Sequence, residues 1–228
     1  MNLKGVLVDF GDTLAHIDEE ENRKYEEAIQ STTRKYGYRG DLDDLSSSLS
    51  RQYWRSNRGE IPDLQSFWKL LLRDLGVAGQ DKACQELDEV WKHHYHMTFK
   101  LYEGATSVLS SLKRKYELAL VSNCAVGLRD VLADLGLTGY FVCIILSYEV
   151  GVRKPDTRMY LEALDCLGLE PNDCIFVADE ISDLEGAREV GLKTLLVRQG
   201  LYTTHEAKDP TFKPDFECTR ISEIPHFL

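Results

Sequence analysis

A chain of 228 residues, 43% hydrophobic and 29% charged, carries enough apolar material for one large domain or for a core with an insertion. Its formal net charge of -11 disfavours a dedicated nucleic-acid binder, which would present a basic face. No apolar run approaches the length of a membrane span, and Met1 to Gly5 lead straight into the first strand without room for a signal peptide, so a cytoplasmic location is expected.

Taken in order, Val6-Leu7-Val8 is a short apolar run ending in Asp9-Phe10-Gly11-Asp12-Thr13-Leu14. This reads as a buried strand opening into a polar loop at its carboxyl end. From about His16 to about Thr98 strand-like runs are almost absent. Glu19 to Tyr36 is a charged helix, Asp41 to Tyr53 a second, and Leu64 to Gly76 a third with Pro62-Asp63 at its start. Asp81 to about His96 is a fourth, with Leu87, Val90, Trp91 and His94 at helical spacing. Beyond Tyr102-Glu103-Gly104 strands and helices alternate: a helix from Ala105 to Tyr116, a strand Leu118–Val121 ending in Ser122-Asn123, a helix through Val131 and Leu135, and a strand Phe141–Leu146. The loop Gly151 to Asp156 then precedes a helix through Met159 and Leu167, the strand Cys174–Ala178 ending in Asp179, a helix through Asp183 to Ala187, and the strand Thr194–Val197. This alternation predicts an α/β fold with a doubly wound parallel sheet. The core would comprise residues 1–15 and 100–228, with a helical insertion over 16–99.

Asp9, Ser122, Lys154 and the pair Asp179 and Asp183 each lie past a predicted strand. In a parallel sheet such ends share one edge, so these groups converge. Clustered carboxylates attract Mg²⁺, which takes one or two of them together with waters and a phosphate oxygen. A lysine and a hydroxyl beside them bind further phosphoryl oxygens, and a carboxylate in that setting is a credible nucleophile.

The D-x-x-x-T-L opening at Asp9 to Leu14, the strand-end Ser122, the pair Lys154-Pro155 and the D-x-x-x-D-x-x-G-A run from Asp179 to Ala187 together resemble the haloacid dehalogenase superfamily. The resemblance extends over the whole chain, since the helical insertion is similar to that family's cap domain. It implies a Rossmann-like core and hydrolysis of a small phosphorylated metabolite. Asp9 would be the nucleophile that forms an aspartyl-phosphate, while Ser122 and Asn123 with Lys154 bind the phosphoryl group. Asp9, Gly11 (by its carbonyl), Asp179 and Asp183 would surround Mg²⁺, with Asp183 either a ligand or a partner behind the ligands.

The departure is Gly11, where the phosphatase branch carries a second aspartate as general acid and base. Loss of such a group costs about 10²–10⁴ in rate. Asp12 is not an automatic replacement, because adjacent side chains of extended backbone point to opposite sides. Three alternatives follow. A 2-haloacid dehalogenase also lacks the second aspartate, but it needs no metal, whereas this chain keeps both Asp179 and Asp183. A phosphonate-cleaving hydrolase needs a cap lysine, with Lys24, Lys35 and Lys69 as candidates. A phosphate-binding module without turnover is the third. Elsewhere the plain readings hold. His93, His94 and His96 are packing and solvated surface, Phe67, Trp68, Leu71 and Leu72 are core of the insertion, and the cysteines lack zinc or C-x-x-C spacing, with Cys124 alone a candidate reactive thiol.

Overall fold

The computed structural model describes residues 3–77, 80–200 and 209–228. From the first strand, β1 (Gly5–Val8), the chain passes through β2 (Ala15–Ile17), the helices α1 (Glu19–Lys35), α2 (Leu42–Asn57), α3 (Leu64–Asp74) and α4 (Gln80–His94), and β3 (Phe99–Leu101). Next come α5 (Ala105–Lys113), β4 (Glu117–Ser122), α6 (Leu128–Asp134), β5 (Cys143–Leu146), α7 (Ser147–Val150) and α8 (Arg158–Leu167). The remaining elements are β6 (Cys174–Ala178), α9 (Ile181–Val190), β7 (Lys193–Val197) and β8 (Phe216–Cys218).

Strands β5-β4-β1-β6-β7-β8 form one sheet in that order, and every pairing in it is parallel. All four residues of β1 are buried, as suits an apolar strand covered on both sides. Alternate residues face opposite layers. Val6, Val8, Leu120 and Val177 pack with Leu109 of α5 and Leu132 of α6, while Leu7, Ala119 and Phe176 pack with Met159 and Tyr160 of α8 and Leu184 of α9. The chain runs outward from β1 through β4 to β5, then re-enters beside β1 as β6 and proceeds the other way. The order therefore switches between β1 and β6, which is where open α/β sheets form their ligand crevice.

The helical block has its own apolar interior, with Tyr25, Ile29, Leu49, Phe67, Trp68 and Leu87 buried. Its helices begin where acidic residues can cap them: Asp18 accepts from the Glu20 and Glu21 amides, Asp41 from Asp44, and Asp63 from Ser66. Entry and exit run through an antiparallel ribbon of β2 and β3 that pairs Ala15 with Leu101 and Ile17 with Phe99. The sequence reading passed over this ribbon, together with β8 and α7, because three or four residues are too few to display a period. The far end of α2 docks on the sheet edge, where Ser56 Oγ accepts from the Val126 amide at 2.8 Å and Ser147 Oγ donates to Asn57 Oδ1 at 3.2 Å. Nearby, Gly59 has φ +76°, and a Cβ there would lie 2.4 Å from Gly151 Cα, so both its backbone angle and its packing require glycine.

No described helix is long and apolar enough to cross a membrane. All six cysteines are free thiols, and burial pushes that of Cys124 up to about 12, which removes it as a reactive group. His93 is spent on the Glu89 carbonyl, and no metal-binding cluster of three or more His, Cys, Asp or Glu side chains occurs among the described residues.

Candidate active site

Val8 registers with Leu120 of β4 and Val177 of β6, so the three central strands end side by side and present Asp9, Ser122 and Asp179 on one edge. Lys154 arrives from further away, after β5, α7 and a left-handed turn at Gly151 (φ +80°). Its backbone is clamped by Asn123, whose Oδ1 accepts from the Lys154 amide at 2.7 Å and whose Nδ2 donates to the Lys154 carbonyl at 3.1 Å. Asn123, expected to bind substrate, thus spends its side-chain amide on holding the lysine loop.

The Lys154 ammonium is fully buried between two carboxylates, 2.9 Å from Asp9 Oδ1 and 2.8 Å from Asp183 Oδ2. It also stands 5.0 Å over the Phe176 ring. Burial alone would lower its pKa, but Asp183 and Asp9 outweigh that and hold it above the ordinary lysine value. Asp9 Oδ1 accepts a second hydrogen bond from the Phe10 amide at 2.7 Å. Among the described residues no donor reaches Asp9 Oδ2. Asp183 is fixed from behind, its carbonyl accepting from the Tyr160 hydroxyl at 2.6 Å. With Oδ2 directed to the ammonium, Asp183 orients Lys154.

Asp179 is held by Thr13, whose Oγ1 donates to its Oδ1 at 3.1 Å and accepts from its amide at 3.0 Å. The Thr13 carbonyl accepts from Gln199 at 2.6 Å, and Gln199 in turn accepts from the Ile221 amide at 2.8 Å. Thr13 lay inside the sequence motif but was not assigned a role there; Gln199 left no signal in the sequence. Burial pushes Asp179 up to about 8, reinforced by the negative charge of Asp9 and only partly opposed by Lys154. Burial likewise pushes Asp9 up to about 6, against the pull of Lys154. Two desolvated carboxylates that repel each other and share one nearby cation form a donor set suited to a further hard cation. Asp9 and Asp179 suit Mg²⁺, which takes few protein ligands and leaves positions for water and phosphate.

Gly11 lines the cavity above this edge, and a Cβ built on it meets no heavy atom within 4 Å. Its φ is not in the left-handed region, so neither backbone nor packing requires glycine here. Asp12 does adopt a left-handed φ of +51°. The extended backbone assumed from the sequence is therefore absent. Its Cβ lies 2.6 Å from one built on Gly200, its Oδ1 accepts from the Tyr102 hydroxyl at 3.4 Å, and it does not line the cavity. Restoring an acid by Gly11→Asp is expected to raise kcat for alkyl phosphates about 10²-fold while changing activated aryl phosphates much less. Steady-state kinetics on the two ester types checks this, and equal effects on both would contradict it.

The cavity has a volume of about 460 Å³ and a floor of Gly11, Ser122 and Asn123. Its walls come from α1, α2 and the segment Tyr95–Phe99 of the helical block. None of the three lysines proposed for a Schiff base lines it: Lys24 pairs with Glu20 and Glu21, Lys35 with Glu86, and Lys69 is exposed.

A family model described as haloacid dehalogenase-like hydrolase matches residues 3–191. A glyceraldehyde 3-phosphate phosphatase of Methanopyrus kandleri is 28% identical over 226 residues, covering 97% of this chain and 95% of that one. A phosphoglycolate phosphatase of Aquifex aeolicus is 32% identical over 151 residues, 64% of this chain and 68% of that one. Among solved structures, a 2-haloacid dehalogenase from Pseudomonas syringae superposes with a TM-score of 0.76 at 23% identity, covering 98% and 97% of the two chains. A HAD phosphatase from Thermococcus onnurineus gives 0.68 at 21% identity, covering 99% and 97%. At those identities the structural likeness speaks for the fold.

Proposed function

The chain belongs to the haloacid dehalogenase-like hydrolases, and on that premise we propose that it is a Mg²⁺-dependent phosphatase acting on a small phosphomonoester through Asp9. The observation that carries this reading is the buried Lys154 ammonium, bridging Asp9 and Asp183 beside Asp179 at the switch point of the sheet. The relatives named as phosphatases for glyceraldehyde 3-phosphate and phosphoglycolate support a small substrate.

In this reading Asp9 Oδ2 attacks phosphorus, the ester P–O bond breaks, and the alcohol leaves with the electron pair. Its oxygen takes a proton from water, because Gly11 offers no side chain. Lys154 holds Asp9 ionised and balances the phosphoryl charge, and the Ser122 hydroxyl donates to a phosphoryl oxygen. Water then attacks phosphorus and the P–O bond to Asp9 breaks, which frees phosphate, releases a proton and regenerates the carboxylate. Held by Asp9, Asp179 and the Gly11 carbonyl, Mg²⁺ would neutralise negative charge on the phosphoryl oxygens. The helical block over residues 16–99 serves as a cap that shields the reacting groups from water. Hydrolysis of an activated aryl phosphate should occur with Mg²⁺ and cease with chelator. No turnover with metal present would overturn the reading.

The carboxylate environment adds a thermal test. Asp9 and Asp179, raised to about 6 and about 8 from 3.8, keep protons in the folded chain that the unfolded chain has already released. Metal-free protein should therefore lose stability as pH rises from about 5 to about 8.5, and Mg²⁺ should raise the melting temperature more at the upper end. Melting curves at the two pH values with and without Mg²⁺ check this. A Mg²⁺ effect equal at both, or larger at low pH, would contradict it.

A further inference from the structure

The phosphatase reading leaves the alcohol half of the ester undefined, and the cavity walls define it. Among the described residues that line the cavity there is no lysine, arginine or histidine. The polar wall consists of Asn22, Glu26, Ser50, Tyr53 and Asn57, with the Tyr95 ring beside them. Glu26 is the one carboxylate of this wall, and it is held in place: Oε1 accepts from Asn22 Nδ2 at 3.2 Å and Oε2 from the Ser46 hydroxyl at 2.5 Å. The Tyr53 and Tyr95 rings lie nearly parallel with centroids 6.1 Å apart. Two guanidiniums line an adjoining cleft on the other side of Trp54, which Lys154 and Asp183 also line: Arg153 lies 4.5 Å over the Trp54 ring, and Arg58 pairs with Glu60.

We propose, resting on the phosphatase reading, that the substrate is a phosphomonoester whose alcohol carries ammonium or hydroxyl groups and no second anion, with Glu26 as the residue that selects for it. A carboxylate on the alcohol would be desolvated without a partner cation and repelled by Glu26. An ammonium is attracted by the Glu26 carboxylate. A hydroxyl donates to the same carboxylate at little electrostatic cost.

Three esters of similar size test this: phosphoethanolamine, glycerol 3-phosphate and 3-phosphoglycerate. Their binding to the Asp9→Asn protein with Mg²⁺, followed by calorimetry, gives a ranking that needs no turnover. The first two should bind at least about tenfold more tightly than the third. Glu26→Gln in the same background should reduce the ratio of phosphoethanolamine to 3-phosphoglycerate affinity by about tenfold. Equal or tighter binding of 3-phosphoglycerate, an unchanged ratio in the Glu26→Gln protein, or no binding of any of the three would overturn the proposal. Wild-type protein that hydrolyses no ester while the binding order holds would sink the phosphatase reading and leave the cavity's selectivity standing.

Discussion

Asp9→Asn is expected to lower the turnover of an aryl phosphate by about 10⁴-fold or more while the protein remains folded. Asparagine keeps the shape and an oxygen that can accept from the Phe10 amide and the Lys154 ammonium, so the loop geometry is retained. What disappears is the anionic oxygen to which the proposal assigns the attack on phosphorus. The substitution also removes one of two buried carboxylates that repel each other, so it should not destabilise the fold. Melting curves together with single-turnover kinetics separate the two effects. Retention of more than a few per cent of wild-type turnover would remove Asp9 from the reaction.

The second large effect falls on Lys154. Lys154→Met keeps a long side chain but leaves Asp9 and Asp183 facing each other in a buried site with no cation between them. Removing one partner of a buried charged set costs about 3–5 kcal/mol. For a chain of this size each kcal/mol lowers the melting temperature by about 2–4 °C. The deficit should shrink as pH falls, since Asp9, already raised by burial, can then take up a proton. Turnover should be lost as well, because the ammonium that fixes Asp9 Oδ1 is gone. A variant that melts within about 2 °C of wild type at pH 8 would show that the bridge does not stabilise the fold.

Much of this architecture was legible in the sequence because its signals are local and strong. The strands around Leu7, Leu120 and Phe176 are apolar runs punctuated by Asp9, Ser122 and Asp179, and the parallel-sheet rule alone places those residues on one edge. The helices of the insertion announce themselves through Asp41 and Asp63 at their starts. The three-residue strands of the entry ribbon escaped notice because pairing, rather than pattern, makes them strands. Side-chain direction was the other gap. Asn123 carries the donors and acceptors of a substrate ligand, yet a loop distant in sequence claims them. Asp12 was judged on extended backbone, whereas it sits in a left-handed turn. The clamp of Thr13 on Asp179 joins two segments far apart in the chain, and which residues of the helical block face the cavity depends on how α2 docks on the sheet edge.

The covalent role proposed for Asp9 can be tested directly. Wild-type protein mixed with a slowly hydrolysed phosphomonoester and Mg²⁺, quenched in acid during turnover, digested and analysed by mass spectrometry, should yield a peptide carrying one phosphoryl group on Asp9 that is discharged by hydroxylamine. Turnover accompanied by an unmodified Asp9 peptide, or by phosphoryl attachment at another residue, would contradict nucleophilic attack by this carboxylate.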